Sequence, residues 1–224
     1  MIAGRETDVV PADHPVPPEF VRAYTRPVRP VLVPEVALLV AADVVALWEA
    51  MEVEHGGATA EPPFWAAAWP GGQALARYVL DHPGLVSGRA VLDLGSGSGL
   101  VAVAAALAGA RSVLASEIDP FGLTAIGLNA RANGTPQVTT VRDVLHAAPL
   151  PVDVVLAGDV CYDRTMTERV LPFLDAARAG GAEVLIGDPG RVYLPSDRLA
   201  ALATYDVADT EGPLVRRTTV WRLP

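Results

Sequence analysis

The chain has 224 residues, of which 51% are apolar and 19% charged, with a formal net charge of −9. A chain of this length buries about 70% of its unfolded surface and needs neither disulfide nor metal to fold, and its single cysteine, Cys161, excludes an intrachain disulfide. The acidic balance argues against a nucleic-acid binder, which presents a basic face. The four scattered histidines and the absence of Cys/His clusters give no metal site. All 17 basic residues are arginine, so an enzyme of this sequence that modifies lysine has no lysine of its own to modify. No apolar stretch is long enough to span a membrane, and the N-terminal segment lacks signal-peptide character, so the expected location is the cytoplasm.

Residues 1–34 are rich in proline and lack periodicity, which predicts an extended arm. The remainder, 35–224, reads as one domain. "EVALLVA" (35–41) predicts a short strand and "DVVALWEAMEVEHGG" (43–57) a helix closed by glycine. Pro70 opens a helix through "QALARYVLD". Strands and helices then alternate: strand 90–95, helix 99–109, strand 112–118, helix 120–134, strands 137–143 and 152–159, helix 165–181, strand 182–188. "PSDRLAALA" (195–203) reads as a helix, followed by two strands, 204–210 and 216–223, joined as an antiparallel hairpin. Apolar strands joined by helices predict an α/β, doubly wound, Rossmann-like sheet of seven strands, mostly parallel. In such folds the site lies beyond the carboxyl ends of the strands.

"VLDLGSGSGL" (91–100) places Gly95, Gly97 and Gly99 between a strand and a helix, where glycine permits a tight turn and close approach to a ligand. The spacing G-x-G-x-G departs from the dinucleotide fingerprint G-x-G-x-x-G. Asp93 would repel a pyrophosphate but would accept from an ammonium. That favours S-adenosylmethionine, which carries an ammonium and a sulfonium, over NAD. Glu117, at the end of the next strand, is placed to grip ribose hydroxyls, with Ile118 beside it and Asp119 shaping the turn. Asp143, after the third strand, is a candidate acceptor for the adenine amino group. "AGDVCYD" (157–163) ends another apolar strand in Asp159, either a helix cap or a substrate holder.

Taken together, "VLDLGSGSG", "SEIDP", "LNARANG" and "GDVCYD" resemble the class I, seven-β-strand methyltransferases. "WPGGQALARY" and "LIGDPGR" narrow this to a resemblance to the electron-transfer flavoprotein β-subunit lysine methyltransferases, covering most of residues 64–223. That family usually carries Asp where this chain has Glu117. The resemblance implies methyl transfer from S-adenosylmethionine to a protein lysine, with Asp159 and Tyr162 matching the family's D-x-x-Y motif. Asp159 is then expected to orient the target nitrogen beside the cofactor, Tyr162 to line the lysine channel and Asp163 to cap the following helix. Trp65 and Trp69 are candidates to wall the cofactor or the entrance, Gly71 and Gly72 to admit the methionine moiety, and Asp188 to meet the incoming lysine. Cys161 is expected to pack. The expected partner is a protein with an exposed lysine, the flavoprotein β subunit first and a ribosomal protein second. A small-molecule amine, a nucleic acid, an NAD-dependent oxidoreductase and a non-catalytic binding module are the competing readings.

Overall fold

The computed structural model describes residues 16–54, 61–146, 150–208 and 214–224. Its centre is a seven-stranded sheet built from β3 (Ala90–Leu94), β4 (Ser112–Ser116), β5 (Val138–Val141), β6 (Val154–Gly158), β7 (Glu183–Asp188), β8 (Ala200–Ala208) and β9 (Val215–Arg222), in the order β5-β4-β3-β6-β7-β9-β8. The first five are parallel, and β9 runs antiparallel to both β7 and β8. Strand order reverses at β3, which pairs with β4 on one side and β6 on the other. A crevice therefore opens at its carboxyl end.

The strands are apolar along their length because both faces are covered. In β6, Val154 and Leu156 pack with α3 (Pro70–Asp81) and α4 (Leu100–Leu107). Val155 and Ala157 pack against Val170 and Leu174 of α6 (Arg164–Ala179). This is the period-two alternation of a strand divided between two cores. A third cluster joins Phe121, Ala125 and Leu128 of α5 (Pro120–Ala132) to Val21, Leu47 and Met51.

That third cluster corrects the reading of the N-terminal segment as extended chain. From Pro18 it forms α1 (Pro18–Tyr24) and β1 (Thr25–Val28), and β1 pairs antiparallel with β2 (Leu38–Ala41). α2 (Val44–Glu54) follows. Phe20 packs on Phe121 with ring centroids 4.8 Å apart. Two asparagines of α5 dock β2. Asn129 Oδ1 accepts from Leu39 N–H, and Asn133 both accepts from Ala37 N–H and donates to its carbonyl. The first fifteen residues, the glycines expected to close α2 and most of the link before β9 lie outside the described residues.

The helix read over 195–203 is a second correction. Only Ser196–Arg198 turn, as a single 3-10 turn, and from Ala200 the chain is β8. Pairing with β9 over eight register positions overrides the helix propensity of the alanines.

Candidate functional site: a cleft at the carboxyl ends of β3 and β6

The loop leaving β3 turns on Gly95, Gly97 and Gly99, whose φ values of 65°, 54° and 81° lie in the left-handed region that glycine adopts without strain. The next helix, α4, starts at Leu100. Asp93 is buried beneath this loop, and its Oδ2 accepts from the Ser96 hydroxyl at 2.6 Å and the Ala102 N–H at 3.0 Å. Burial, with Glu117's charge adding, pushes its carboxyl up to about 7 against those two donors.

Glu117, just beyond β4, accepts from the N–H groups of Gly97, Ile118 and Asp119 at 2.7–3.0 Å. It ties the glycine loop to the next strand end, and burial raises its pKa too. Ile118 is exposed beside it. Asp119 caps α5, accepting from Phe121 N–H at 2.8 Å. One cleft unites Ala67, Trp69 and Gly72 with Asp93, the loop 95–98, Leu100, Val101, Gly158 and Asp159. A wider depression among Asp175, Arg178, Arg198 and Leu223 lies elsewhere, and an Arg198–Asp175 ion pair bridges it.

Asp159 follows β6 with φ of 60°, the positive-φ non-glycine among the described residues. Aspartate tolerates this conformation better than most side chains. Its backbone N–H donates to Gly187 O at 2.8 Å. Its Oδ2 accepts from Gly72 N–H at 2.7 Å, in the first turn of α3, whose N-cap Trp69 offers no side-chain cap. Asp159 thus caps a helix, but α3, 87 residues upstream, rather than the one that follows. The following helix, α6, is capped by Asp163, which accepts from Met166 N–H at 2.7 Å. Asp159 Oδ1 accepts from Arg191. Burial raises the Asp159 pKa, while Arg191 and the Gly72 N–H oppose it.

The close approach of α3 to the sheet rests on glycines. A Cβ on Gly71 would lie 2.6 Å from Asp159 Oδ2 and 2.7 Å from the Gly187 carbonyl carbon, and one on Gly158 would lie 2.8 Å from Gly72 Cα. Gly71, expected to admit a ligand, instead serves backbone-to-backbone packing on β7, and Gly72 is the glycine that lines the cleft.

Three further expectations are revised. Trp65 is 1% exposed and belongs to the cluster around α5, so it walls no entrance. Its neighbour Phe64 turns outward instead, 48% exposed, with ring centroids 6.1 Å from Trp69 and 6.0 Å from Tyr162. Asp188 is wholly buried. Its Oδ1 accepts from Gly190 and Arg191 N–H, each at 2.7 Å, and its Oδ2 from Arg191 Nη1 at 3.3 Å, so it faces inward and not toward an incoming side chain. Asp143 engages Leu145 N–H with one oxygen and the Arg169 guanidinium with the other, both at 2.9 Å, and is not among the residues lining the cleft.

Trp69 lines the cleft and Tyr162 stands outside its lining, reached through Phe64; they are 40% and 49% exposed, and Trp69 Nε1 donates to Phe64 O at 2.7 Å. Cys161 is buried, and burial holds its thiol up to about 11, the state of a packing residue. Sequence reasoning missed Arg191 and Phe64. The signal for Arg191 was an arginine three positions after the buried Asp188. For Phe64 there was none beyond adjacency, because which of two neighbouring aromatics turns inward depends on what packs behind it.

A family model for ribosomal protein L11 methyltransferase (PrmA) matches residues 74–160. The electron transfer flavoprotein beta subunit lysine methyltransferase of Rattus norvegicus is 44% identical over 131 residues, 58% of this chain and 51% of the relative, so the match spans about half of that protein. The protein of the same name from Xenopus laevis is 35% identical over 215 residues, covering 92% of this chain and 86% of the relative. Among solved structures, TrmN from Thermus thermophilus superposes with a TM-score of 0.51 at 25% identity, over 66% of this chain and 48% of that one. Among the described residues no helix is long and apolar enough to cross a membrane, and no group of His, Cys, Asp and Glu is arranged to hold a metal ion. The sheet order, the glycine loop and a match running nearly end to end lead to one conclusion: this chain belongs to the electron transfer flavoprotein beta subunit lysine methyltransferase family, with the Rossmann-like fold of class I S-adenosylmethionine-dependent methyltransferases.

Proposed function

We propose that this chain transfers a methyl group from S-adenosylmethionine to a lysine of another protein, the electron transfer flavoprotein β subunit being the first candidate. The observation that carries the reading is the meeting of Asp159, at the end of β6, with Asp93 and the glycine loop at the end of the adjacent β3 in one cleft.

The residues present fit the cofactor. Asp93 is a buried carboxylate at the cleft, with both of its hydrogen bonds on one oxygen, and it suits an ammonium. Glu117 lies outside the cleft lining and holds the loop at Gly97 N–H; the second lone pair of its Oε2 is what it offers a ribose diol, and the positive-φ glycines of the loop bring backbone close to a ligand. When bound, the cofactor supplies an electrophilic methyl group whose C–S bond breaks as the new C–N bond forms. The chain holds and aims the nitrogen, an effect of proximity and orientation. A lysine ammonium, with an ordinary pKa of about 10.4, has no free lone pair. The aromatic group of Trp69, which lines the cleft, with Phe64 and Tyr162 beside it, disfavours the charged form, while the rings attract a cation during approach. Asp159 orients the nitrogen by hydrogen bonding, and Tyr162 borders its path.

The exposure of these three rings supports an acceptor carried on another protein. Ribosomal protein L11 is the second candidate acceptor. The family model that suggests it stops at residue 160, before Tyr162 and the 187–191 turn, whereas the Xenopus match covers 92% of the chain. The proposed setting is the cytoplasm, and the methyltransferase domain is proposed to span 35–224, with α1 and β1 of the preceding segment packed onto it. The test is incubation with radiolabelled S-adenosylmethionine and lysate, with mass-spectrometric identification of methylated lysines. Because the chain has no lysine, self-methylation at lysine adds no background. Asp159→Ala is expected to retain cofactor binding and lose most transfer. Turnover by Asp159→Ala close to wild type would sink the assigned role.

A further inference from the structure

The 187–191 turn sends a cation to the spot where the proposed substrate cation must arrive. Asp188 Oδ1 gathers the N–H groups of Gly190 and Arg191, which fixes the turn. The Arg191 side chain then reaches across from the end of β7 to the end of β6, where Nη1 donates to Asp159 Oδ1 and, at 3.3 Å, to Asp188 Oδ2. It is three-quarters buried, its side chain 24% exposed. Gly72 N–H holds the other Asp159 oxygen. Asp159 is thus fixed at both oxygens, and each keeps a second lone pair.

We infer that Arg191 is a positioning residue for methyl transfer: it fixes the Asp159 carboxylate and balances its charge, so that the acceptor nitrogen is oriented without being held as ammonium. This rests on the lysine reading above. A buried carboxylate with no cation beside it would stabilise the ammonium form, which cannot attack. With Arg191 in place the nitrogen meets a carboxylate that is already paired, and its proton leaves to solvent before the lone pair attacks. The other groups around the pair do not supply that balance. Asp188 on β7 is a second anion, and the Cys161 thiol and Tyr162 phenol stand in the same turn as Asp159. α3 brings only a backbone N–H. Asp93 lines the same cleft as Asp159, Glu117, Glu61 and Asp163 add negative charge on the Tyr162 side, and Arg169 of α6 pairs with Asp143.

The test uses the full chain as wild type, Arg191→Gln and Arg191→Lys. Purified flavoprotein β subunit and ribosomal protein L11 serve as acceptors, with kcat and KM measured from about pH 6.5 to 9.5 and S-adenosylhomocysteine affinity measured by calorimetry. Removing the cation is expected to move the acid limb of kcat up by about one pH unit. Arg191→Gln should then lose about tenfold in kcat below the limb and recover above it. Cofactor affinity should stay within about threefold, since Arg191 is not a cleft-lining residue. Arg191→Lys should return the limb to its wild-type position. An unmoved limb in Arg191→Gln, or equal impairment of both variants at every pH, would overturn the inference while leaving the methyltransferase reading intact. Failure of the wild type on both acceptors would remove the lysine reading and this inference with it.

Discussion

Two adjacent glycines should respond in opposite directions to the same substitution. A Cβ on Gly71 meets the Gly187 carbonyl group and Asp159 Oδ2, all well inside the 3.0 Å that Cβ contacts essentially never cross. The carbonyl is backbone in the parallel β6–β7 ladder and cannot rotate away, so α3 must lift from the sheet. Overpacking of this kind costs about 1–3 kcal/mol. Lifting also lengthens the bond from Gly72 N–H to Asp159, and a buried donor left unpaired adds about 1–3 kcal/mol. Replacing a helical glycine by alanine offsets only about 0.5–1 kcal/mol. The net loss is about 1–5.5 kcal/mol, or roughly 2–22 °C in Tm for a chain of this size. At Gly72 the nearest atoms to a new Cβ are Val101 Cγ2 at 3.9 Å and Asp159 Oδ2 at 4.0 Å, ordinary contacts. Gly72→Ala should therefore gain the helix-propensity term and raise Tm by about 1–4 °C. Both variants are melted without cofactor, followed by far-ultraviolet circular dichroism. A Gly71→Ala melt within a degree of wild type, or a Gly72→Ala chain less stable than Gly71→Ala, would refute the packing argument.

Other consequences follow from the buried groups. Asp93, held up to about 7 by burial, should make stability fall with pH: the contribution present below the ordinary carboxyl pKa is lost as pH rises to about 7, and then levels. About three units correspond to about 4 kcal/mol. Urea melts of wild type and Asp93→Asn from pH 4.5 to 8 should diverge in slope, and parallel curves would count against it. Asp93→Ala and Glu117→Ala should both weaken S-adenosylmethionine binding by calorimetry, and unchanged affinity in both would remove the assigned cofactor contacts. The Cys161 thiol, held up to about 11 and buried, should resist Ellman's reagent at pH 8 in the folded chain and react fully after denaturation. Rapid reaction in the native state would show that it is neither buried nor suppressed.

Much of the site was legible because its parts are local. The glycine loop follows its strand directly, and the carboxylates Asp93, Glu117 and Asp159 each stand at or just past a strand end, where apolar patterning stops. Asp163 and Asp119 cap helices that begin one residue later. The failures have a common cause. The alanines after Arg198 favour a helix in isolation but complete a hairpin with β9. The proline-rich segment looks extended until Phe20 finds Phe121, a hundred residues away in sequence. Trp65 and Phe64 divide inside from outside according to the cluster waiting around α5.

By itself, then, the sequence determined the alternation of strands and helices, the seven-stranded sheet, the ligand-binding loop and the edge where chemistry belongs, since periodicity, turn residues and strand ends are properties of neighbouring positions. Only the tertiary structure decided that Asp159 caps α3, that Gly71 exists to meet Gly187, and that Arg191 rather than a free substrate cation already pairs with Asp159. Each of those joins residues 32 to 116 positions apart, and which groups meet across such distances is set by the packing of the sheet and its helices, which no local pattern encodes.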